Sequence, residues 1–266
     1  MGFIFPWSKA KNENIVYLSF DAHRNNLGDI LSPIIANHFS SKKVVRISKR
    51  KCHSVEHYFM IGSILQRCTS KSIIWGSGLI LENSICKEKP KKILAVRGPL
   101  TRKKLIEQEI ECPKIYGDPA LLLPEVYPPS NKKPTYKLGI IPHYLDKNDP
   151  FLKKFKDHVD ISIIDIQNKE PLKVIDKMMN CEKIISSSLH GIIISDAYHI
   201  PSLWTQFSNP IAEDNFKFQD YFASVGRKVN SPVLFSNFHQ LNDILNIFED
   251  YKINIDLQGL KDSFPF

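Results

Sequence analysis

What this chain lacks narrows its class first. Its five cysteines (Cys52, Cys68, Cys86, Cys112 and Cys181) are scattered, odd in number and form no C-x-x-C pair. That spacing argues against a zinc ribbon or a disulfide scaffold and for a reducing compartment. No apolar run approaches the ~20 residues that a membrane-spanning helix needs. The opening Met1-Gly-Phe-Ile-Phe-Pro-Trp-Ser-Lys9 is too short and turns polar too early for a secretory signal, so a cytoplasmic location is expected. Phe3, Phe5 and Trp7 beside Lys9 and Lys11 are expected to form a hydrophobic plug rather than a membrane contact. There is no internal repeat and no low-complexity tract. Basic residues are dispersed without interleaved aromatics, which speaks against a nucleic-acid partner. Acidic residues are the scarcer sign: 28 Asp and Glu face 36 Lys and Arg, for a net charge of +8. Such an excess favours anionic ligands, acidic glycans, nucleic acid or an anionic membrane face, without choosing among them.

What is present is an alternation of strands and helices along 266 residues, long enough for two lobes. Ile15–Phe20 reads as a strand, Asp21–Asp29 as a polar loop, Ile30–Phe39 as a helix and Val44–Ile47 as the next strand. This βαβ opening implies a parallel sheet. Ile73–Trp75 and Ile93–Arg97 are further strands, and a helix over Leu100–Glu109 follows, with Pro99 well placed to start it. Four prolines between Pro124 and Pro134, without periodicity, mark a linker. Beyond it come a strand at Lys137–Ile141, a helix at Phe151–Lys156, a strand at Ile161–Ile166 and a helix at Pro171–Asn180. An aromatic stretch from Asp214 to Gly226 carries Lys217, and an amphipathic closing helix is expected over Asn237–Tyr251. The implied division is an N-terminal lobe over 1–125, a linker over 126–135, a second lobe over 136–236, and a helix and tail over 237–266.

Chemistry-bearing residues gather where strands end, the edge at which open α/β sheets bind ligands. The densest stretch is Lys183–Pro201: an apolar strand, the break Ser186-Ser187-Ser188, His190, a turn at Gly191, and a helix from Ile192 to His199. The helix start offers unpaired N–H groups and a partial positive charge suited to phosphate or carboxylate. A single histidine there is as readily a cap or a satisfied core residue as a catalyst. Asp29 is by default a helix cap, yet with Asn25 and Asn26 it also matches a grip on sugar hydroxyls. Gly76-Ser77-Gly78 permits close backbone approach to a ligand. Arg97 ends a buried strand and therefore needs an anionic partner, whereas Lys103 and Lys104 read as solvated surface. His53 and His57, four apart, would share a helix face but lack a third metal ligand.

Taken in order, the segments Asn26-Leu-Gly-Asp29, Trp75-Gly-Ser-Gly78, Arg97-Gly-Pro-Leu-Thr-Arg102, Gly117-Asp-Pro-Ala-Leu-Leu122, Pro142-His-Tyr144 and Ser187-Ser-Leu-His-Gly191 through Ala197-Tyr-His-Ile-Pro201 resemble the polysaccharide pyruvyl transferase family. The resemblance runs from about residue 20 to about residue 225. It implies two Rossmann-like α/β lobes in a GT-B-like arrangement with an interlobe cleft. It implies phosphoenolpyruvate as donor, a sugar hydroxyl pair as acceptor and a pyruvate ketal as product; no cofactor is expected, and nothing in the sequence demands a metal. By that resemblance His190, Arg97 and Asp29 are catalytic, with His190 the general acid. Arg97, Gly98, Arg102, Ser187, Ser188, Leu189 and Gly191 would bind the donor. Asn26, Gly28, Asp29, Gly76, Ser77, Gly78, Asp118, His143 and Tyr144 would bind the acceptor. Some relatives carry an arginine where this chain has Ser188, so part of the donor clamp is expected elsewhere. His199 stands near a helix end where many relatives have glycine, and is read as structural.

The acceptor expected from this resemblance is a galactose- or glucose-type residue of a lipid-linked saccharide or polysaccharide, with peripheral contact at the inner membrane face. Two other readings compete. A GT-B glycosyltransferase would be stabilised by a nucleotide diphosphate and not by phosphoenolpyruvate. A non-catalytic glycan-binding protein would tolerate substitution of His190 and Arg97.

Overall fold

The computed structural model describes residues 14–21, 26–129, 133–207 and 215–266. The expected N-terminal plug, Asn25, Asp214 and the middle of the proline-rich linker lie outside them. The first sheet holds β1 (Ile15–Leu18), β2 (Lys43–Arg46), β3 (His57–Phe59), β4 (Ser72–Trp75) and β5 (Lys92–Ala95), in the order β2-β1-β3-β4-β5. The second holds β6 (Tyr136–Ile141), β7 (Ile161–Ile163), β8 (Cys181–Ser186), β9 (Ser202–Gln206) and β10 (Val233–Leu234), in the order β10-β9-β8-β6-β7. Every strand pairing is parallel. Reversing the second list shows that both sheets follow one plan. The first strand lies next to one edge, the second forms that edge, and the third to fifth extend to the other side.

Helices follow the strands. These are α1 (Leu27–Phe39), α2 (Pro99–Glu107), the short α3 (Leu123–Val126), α4 (Pro171–Met179), α5 (Leu189–Ala197), α6 (Phe216–Ser224), α7 (Leu241–Leu245) and α8 (Leu257–Asp262). Of them, α1, α4, α5 and α6 are crossovers within a sheet. One apolar core runs through both halves, and it includes Leu31 and Ile35 of α1, Leu122, Ile175 of α4 and Ile193 of α5. Each is buried, worth about 1.5–3 kcal/mol per large side chain relative to exposure. A backbone bond from Leu27 N to Ile166 O (3.1 Å) joins the start of α1 to the chain just beyond β7.

Several expectations are corrected. The closing helix over Asn237–Tyr251 shrinks to α7. Asn237, Asn242 and Asn246 compete with helical bonding through their own amides, and Asp243 accepts from the Gln240 N–H (3.0 Å) to start only a short turn. Phe151–Lys156 is a 3₁₀ turn at Pro150–Lys154, opened by an Asp149 carboxylate that accepts from the Phe151 N–H (2.9 Å). His57 belongs to β3, so it shares no helix face with His53; its ring bonds Val55 O and Ser72 Oγ, both at 2.9 Å. Pro124 falls within α3 rather than in open linker. No helix among the described residues is long and apolar enough to cross a membrane.

Candidate active site

In a sheet of this order ligands bind outside the carboxyl ends of the strands where the order reverses, between β1 and β3 in one half and between β6 and β8 in the other. The two reversal points face a common cavity of about 140 Å³. From the first half it is lined by Asn26 and Asp29 after β1, and by Gly62, Ser63 and Arg67 after β3. From the second it is lined by His143 and Tyr144 after β6, and by Ser188, Leu189 and His190 after β8. Lys217 of α6 completes the wall.

The turn that presents His190 is built by serines. Ser186 Oγ donates toward Ile141 O (3.1 Å) and Ser188 O (2.9 Å) and accepts from the Ser188 N–H (3.0 Å), closing the strand-to-helix corner. Ser187 Oγ donates to Asp146 Oδ2 (2.6 Å) and accepts from the His143 N–H (2.8 Å), tying the loop after β6 to the loop after β8. Ser187 is therefore a brace rather than part of the cavity wall. Ser188 holds the N-cap position of α5, which places His190 inside the first helical turn and not in a preceding loop. Gly191 is helical too, so the expected turn there is absent. A Cβ at Gly191 would stand 2.2 Å from Ser186 Oγ, so the residue must be small for α5 to sit on the strand end.

The His190 ring lies flat against the backbone of α1. A Cβ at Gly28 would come within 2.1 Å of His190 Cε1, so Gly28 is a contact surface for the imidazole rather than a sugar-binding residue. His190 Nε2 stands 3.6 Å from Asp118 Oδ2, and both atoms are buried without a hydrogen-bond partner among the described residues. Asp118 Oδ1 meanwhile accepts from the Ala120 N–H at 3.0 Å, which fixes the carboxylate. Buried polar atoms are normally paired, so two orphans facing each other mark a place held ready for a proton or a ligand. Asp29 lies in the first turn of α1, while Asn26 occupies the N-cap position. Burial pushes the Asp29 carboxyl above the ordinary range, opposed chiefly by the nearby His190 and by a bond from Asn26 Nδ2 (3.2 Å). Among the described residues no group of three or more His, Cys, Asp or Glu side chains could hold a metal ion.

Other expected site residues are occupied elsewhere. Arg97 is fully buried and has its anionic partner within the protein. Its Nε donates to Asp220 Oδ2 (3.0 Å), and its Nη1 and Nη2 donate to Ser63 Oγ (2.6 Å) and Leu79 O (2.7 Å). Arg97 thus stands behind the cavity wall at Ser63 and is not a donor clamp in this geometry. Gly98 makes room for Asp220, since a Cβ there would lie 2.0 Å from its carbonyl oxygen. Gly78 makes room for the Arg97 guanidinium in the same way. Arg102 Nε donates to Cys112 O (3.0 Å), and Ser77 Oγ donates to Gly62 O (2.8 Å). Gly76 has φ +91° and lies against Pro119. None of Gly76, Ser77, Gly78, Gly98 or Arg102 lines the cavity. His199 has φ +56°, a left-handed helix end that glycine adopts freely, which accounts for its structural role.

Sequence reasoning passed over Arg67 and Lys217, the two cationic side chains on this wall. Arg67 follows β3, a strand of three residues hidden in a polar, basic segment. Lys217 sits in an aromatic helix whose position over the cavity only the packing of α6 against α2 defines.

The family model for polysaccharide pyruvyl transferase matches residues 11–208. An uncharacterised protein of Acanthamoeba polyphaga mimivirus is 30% identical over 249 residues, covering 91% of this chain and 85% of that protein. The succinoglycan biosynthesis protein ExoV of Rhizobium meliloti is 29% identical over 168 residues, covering 62% of this chain but 50% of ExoV. An uncharacterised Klebsiella pneumoniae protein of known structure superposes with a TM-score of 0.47 at 14% identity, over 79% of this chain and 87% of that one. On the extent of the family match, this chain is a member of the polysaccharide pyruvyl transferase family.

Proposed function

We propose that this protein moves the pyruvyl group of phosphoenolpyruvate onto two hydroxyls of one sugar residue, forming a pyruvate ketal and releasing phosphate. The two sheets then act as GT-B-like lobes, with the reaction in the cavity between them. His190, as its imidazolium, delivers a proton to the methylene carbon while a sugar hydroxyl attacks the adjacent carbon and loses its own proton. Phosphate departs, the second hydroxyl closes the ring, and its proton leaves with phosphate or solvent. A histidine suits this exchange because it titrates near neutrality. Asp118 faces Nε2 and would stabilise the charged imidazole. Asp29, whose burial makes its ionised carboxylate a stronger base, is placed to take the proton of an attacking hydroxyl. Arg67, Lys217 and the N-terminus of α5 would hold the phosphate and carboxylate. That set supplies the cationic contact expected to compensate for Ser188. The chemistry calls on no cofactor beyond the donor.

The observation that carries this reading is the pair of orphaned atoms, His190 Nε2 and Asp118 Oδ2, at the meeting point of two strand-order reversals. A lipid-linked or polymeric glycan with a galactose- or glucose-type residue is the proposed acceptor, met in the cytoplasm or at the inner membrane face. The test is phosphate release from phosphoenolpyruvate against a panel of glycosides, with mass spectrometry for an acid-labile ketal. Phosphate release that depends on acceptor and on His190 supports the proposal. Thermal stabilisation by a nucleotide diphosphate but not by phosphoenolpyruvate would instead point to a glycosyltransferase.

A further inference from the structure

A second and larger cavity, of about 660 Å³, opens beside the first and shares Asp21, Ile64 and Arg67 with it. Its volume falls within the ~300–1,000 Å³ usual for small-molecule sites, while the catalytic cavity is much smaller. It lies over the carboxyl ends of β1 and β2 in the first half alone, so its occupant would extend away from the reacting centre rather than surround it. The floor is apolar, with Ile47, Phe59 and Ile64; Ser19, Ser48 and Thr69 supply hydroxyls. The rim carries Arg46, Lys49 and Arg67 against one carboxylate, Asp21, which lies 3.9 Å from Arg67 Nη1; the His53 ring beside them faces Glu88 at 3.1 Å.

Arg46 is held rather than loose. Its Nε donates to Phe20 O (3.2 Å) and its guanidinium lies 5.5 Å from the Phe20 ring centroid. That leaves its two terminal nitrogens in the geometry of a fork that binds a carboxylate or phosphate in pairs. The Phe20 ring adds an apolar face of the kind sugar C–H groups pack against. A neutral glycan would need the hydroxyls and the aromatic ring but would gain nothing from the cations Arg46, Lys49 and Arg67.

Resting on the pyruvyl-transfer reading, we infer that this cavity is an acceptor subsite for an anionic substituent, a carboxylate or a phosphate ester, carried on the glycan next to the sugar that receives pyruvate. The substrate class is therefore an acidic glycan or a phosphate-linked saccharide. The anion sits between Arg46 and Lys49, and the neighbouring sugar reaches past Arg67 into the catalytic cavity.

The test compares three acceptors of similar length: lactose, a β-galactosyl-glucuronate disaccharide and a galactosyl phosphate. The charged probes should show KM at least tenfold below that of lactose, with the advantage shrinking as sodium chloride is raised from 50 to 500 mM, since salt screens exposed charge. In Arg46→Ala and in Lys49→Ala the ratio of neutral to charged KM should collapse toward one. Whichever of the two charged probes gains more identifies uronate or phosphate as the natural anion. Lys49→Ala guards against misfolding of Arg46→Ala, because Lys49 is exposed on a 3₁₀ turn. Equal KM for all three acceptors overturns the inference. If no acceptor releases phosphate, the transfer reading has failed. The subsite is then judged by calorimetric titration of the charged probes, where binding that wild type shows and Arg46→Ala loses upholds it, and equal affinity overturns it.

Discussion

The two sheets share one strand order, yet their polar tips have opposite fates. At the end of β5 the Arg97–Asp220 pair is fully saturated. Asp220 accepts from Arg97 Nε, from the Thr101 N–H (2.8 Å) and from Thr101 Oγ1 (2.7 Å), and both charges are fully excluded from solvent. At the end of β8 His190 lines a cavity, and its Nε2 faces Asp118 Oδ2 at 3.6 Å with neither atom hydrogen-bonded among the described residues. Both tips carry a charged residue beside a helix start, so sequence alone rates them alike. The saturation of their hydrogen bonds separates a girder from a working group.

The largest expected effect tests the girder. Asp220→Ala would leave a buried guanidinium without its counter-charge and should cost about 3–5 kcal/mol of unfolding free energy, read by urea titration. A loss below about 1 kcal/mol together with a tenfold rise in KM for phosphoenolpyruvate would break the comparison and return Arg97 to the substrate. His190→Ala tests the opposite tip. It should lower kcat by about 10²–10⁴, while costing less stability than Asp220→Ala in the same titration. Retention of full turnover would remove His190 from the chemistry.

Gly28→Ala sharpens the contrast from the neighbouring helix, because the new methyl would displace the imidazole. A roughly tenfold or greater fall in kcat is expected, consistent with the sensitivity of catalysis to ångström-scale misplacement; unchanged kcat would show that the ring position is not critical. The smallest effect is on pH-dependent stability. Asp29 has its folded-state pKa raised by burial, so the folded form binds its proton more tightly than the unfolded chain does. The wild type therefore loses stability as pH rises through the carboxylate range, and the penalty is complete above the folded pKa. Asp29→Asn should then melt higher than wild type at pH 7, with the gain fading as pH falls toward 4; a gain independent of pH would contradict this assignment.

Much of the architecture was readable because apolar spacing alternates between strand and helix periods along the chain. The requirement that Arg97 find an anion was readable as well. Its partner was not, because Asp220 lies 123 residues away on a helix that no local pattern docks against α2. Gly191 was assigned to a turn because glycine permits one, whereas here it answers to the closeness of Ser186 Oγ. Ser187 was expected to touch the donor, and it instead braces two loops through Asp146. In each instance the residue type limited the options and a contact distant in sequence made the choice. Arg67 shows the converse: a cavity-lining position without a motif, given its place by a strand too short to announce itself.

The Trp75 indole, at the end of β4 in the first sheet, donates to Leu260 O (3.0 Å) and to Ser263 Oγ (3.1 Å), and its ring meets Phe264 edge-on at 4.8 Å. That strand thus waits for residues 185 and 188 positions further along before its inner surface is covered. During synthesis the leading half would leave the ribosome with an apolar wound still open. Such a nascent chain would be a natural client for chaperones until the segment carrying Leu260, Ser263 and Phe264 arrives to close it.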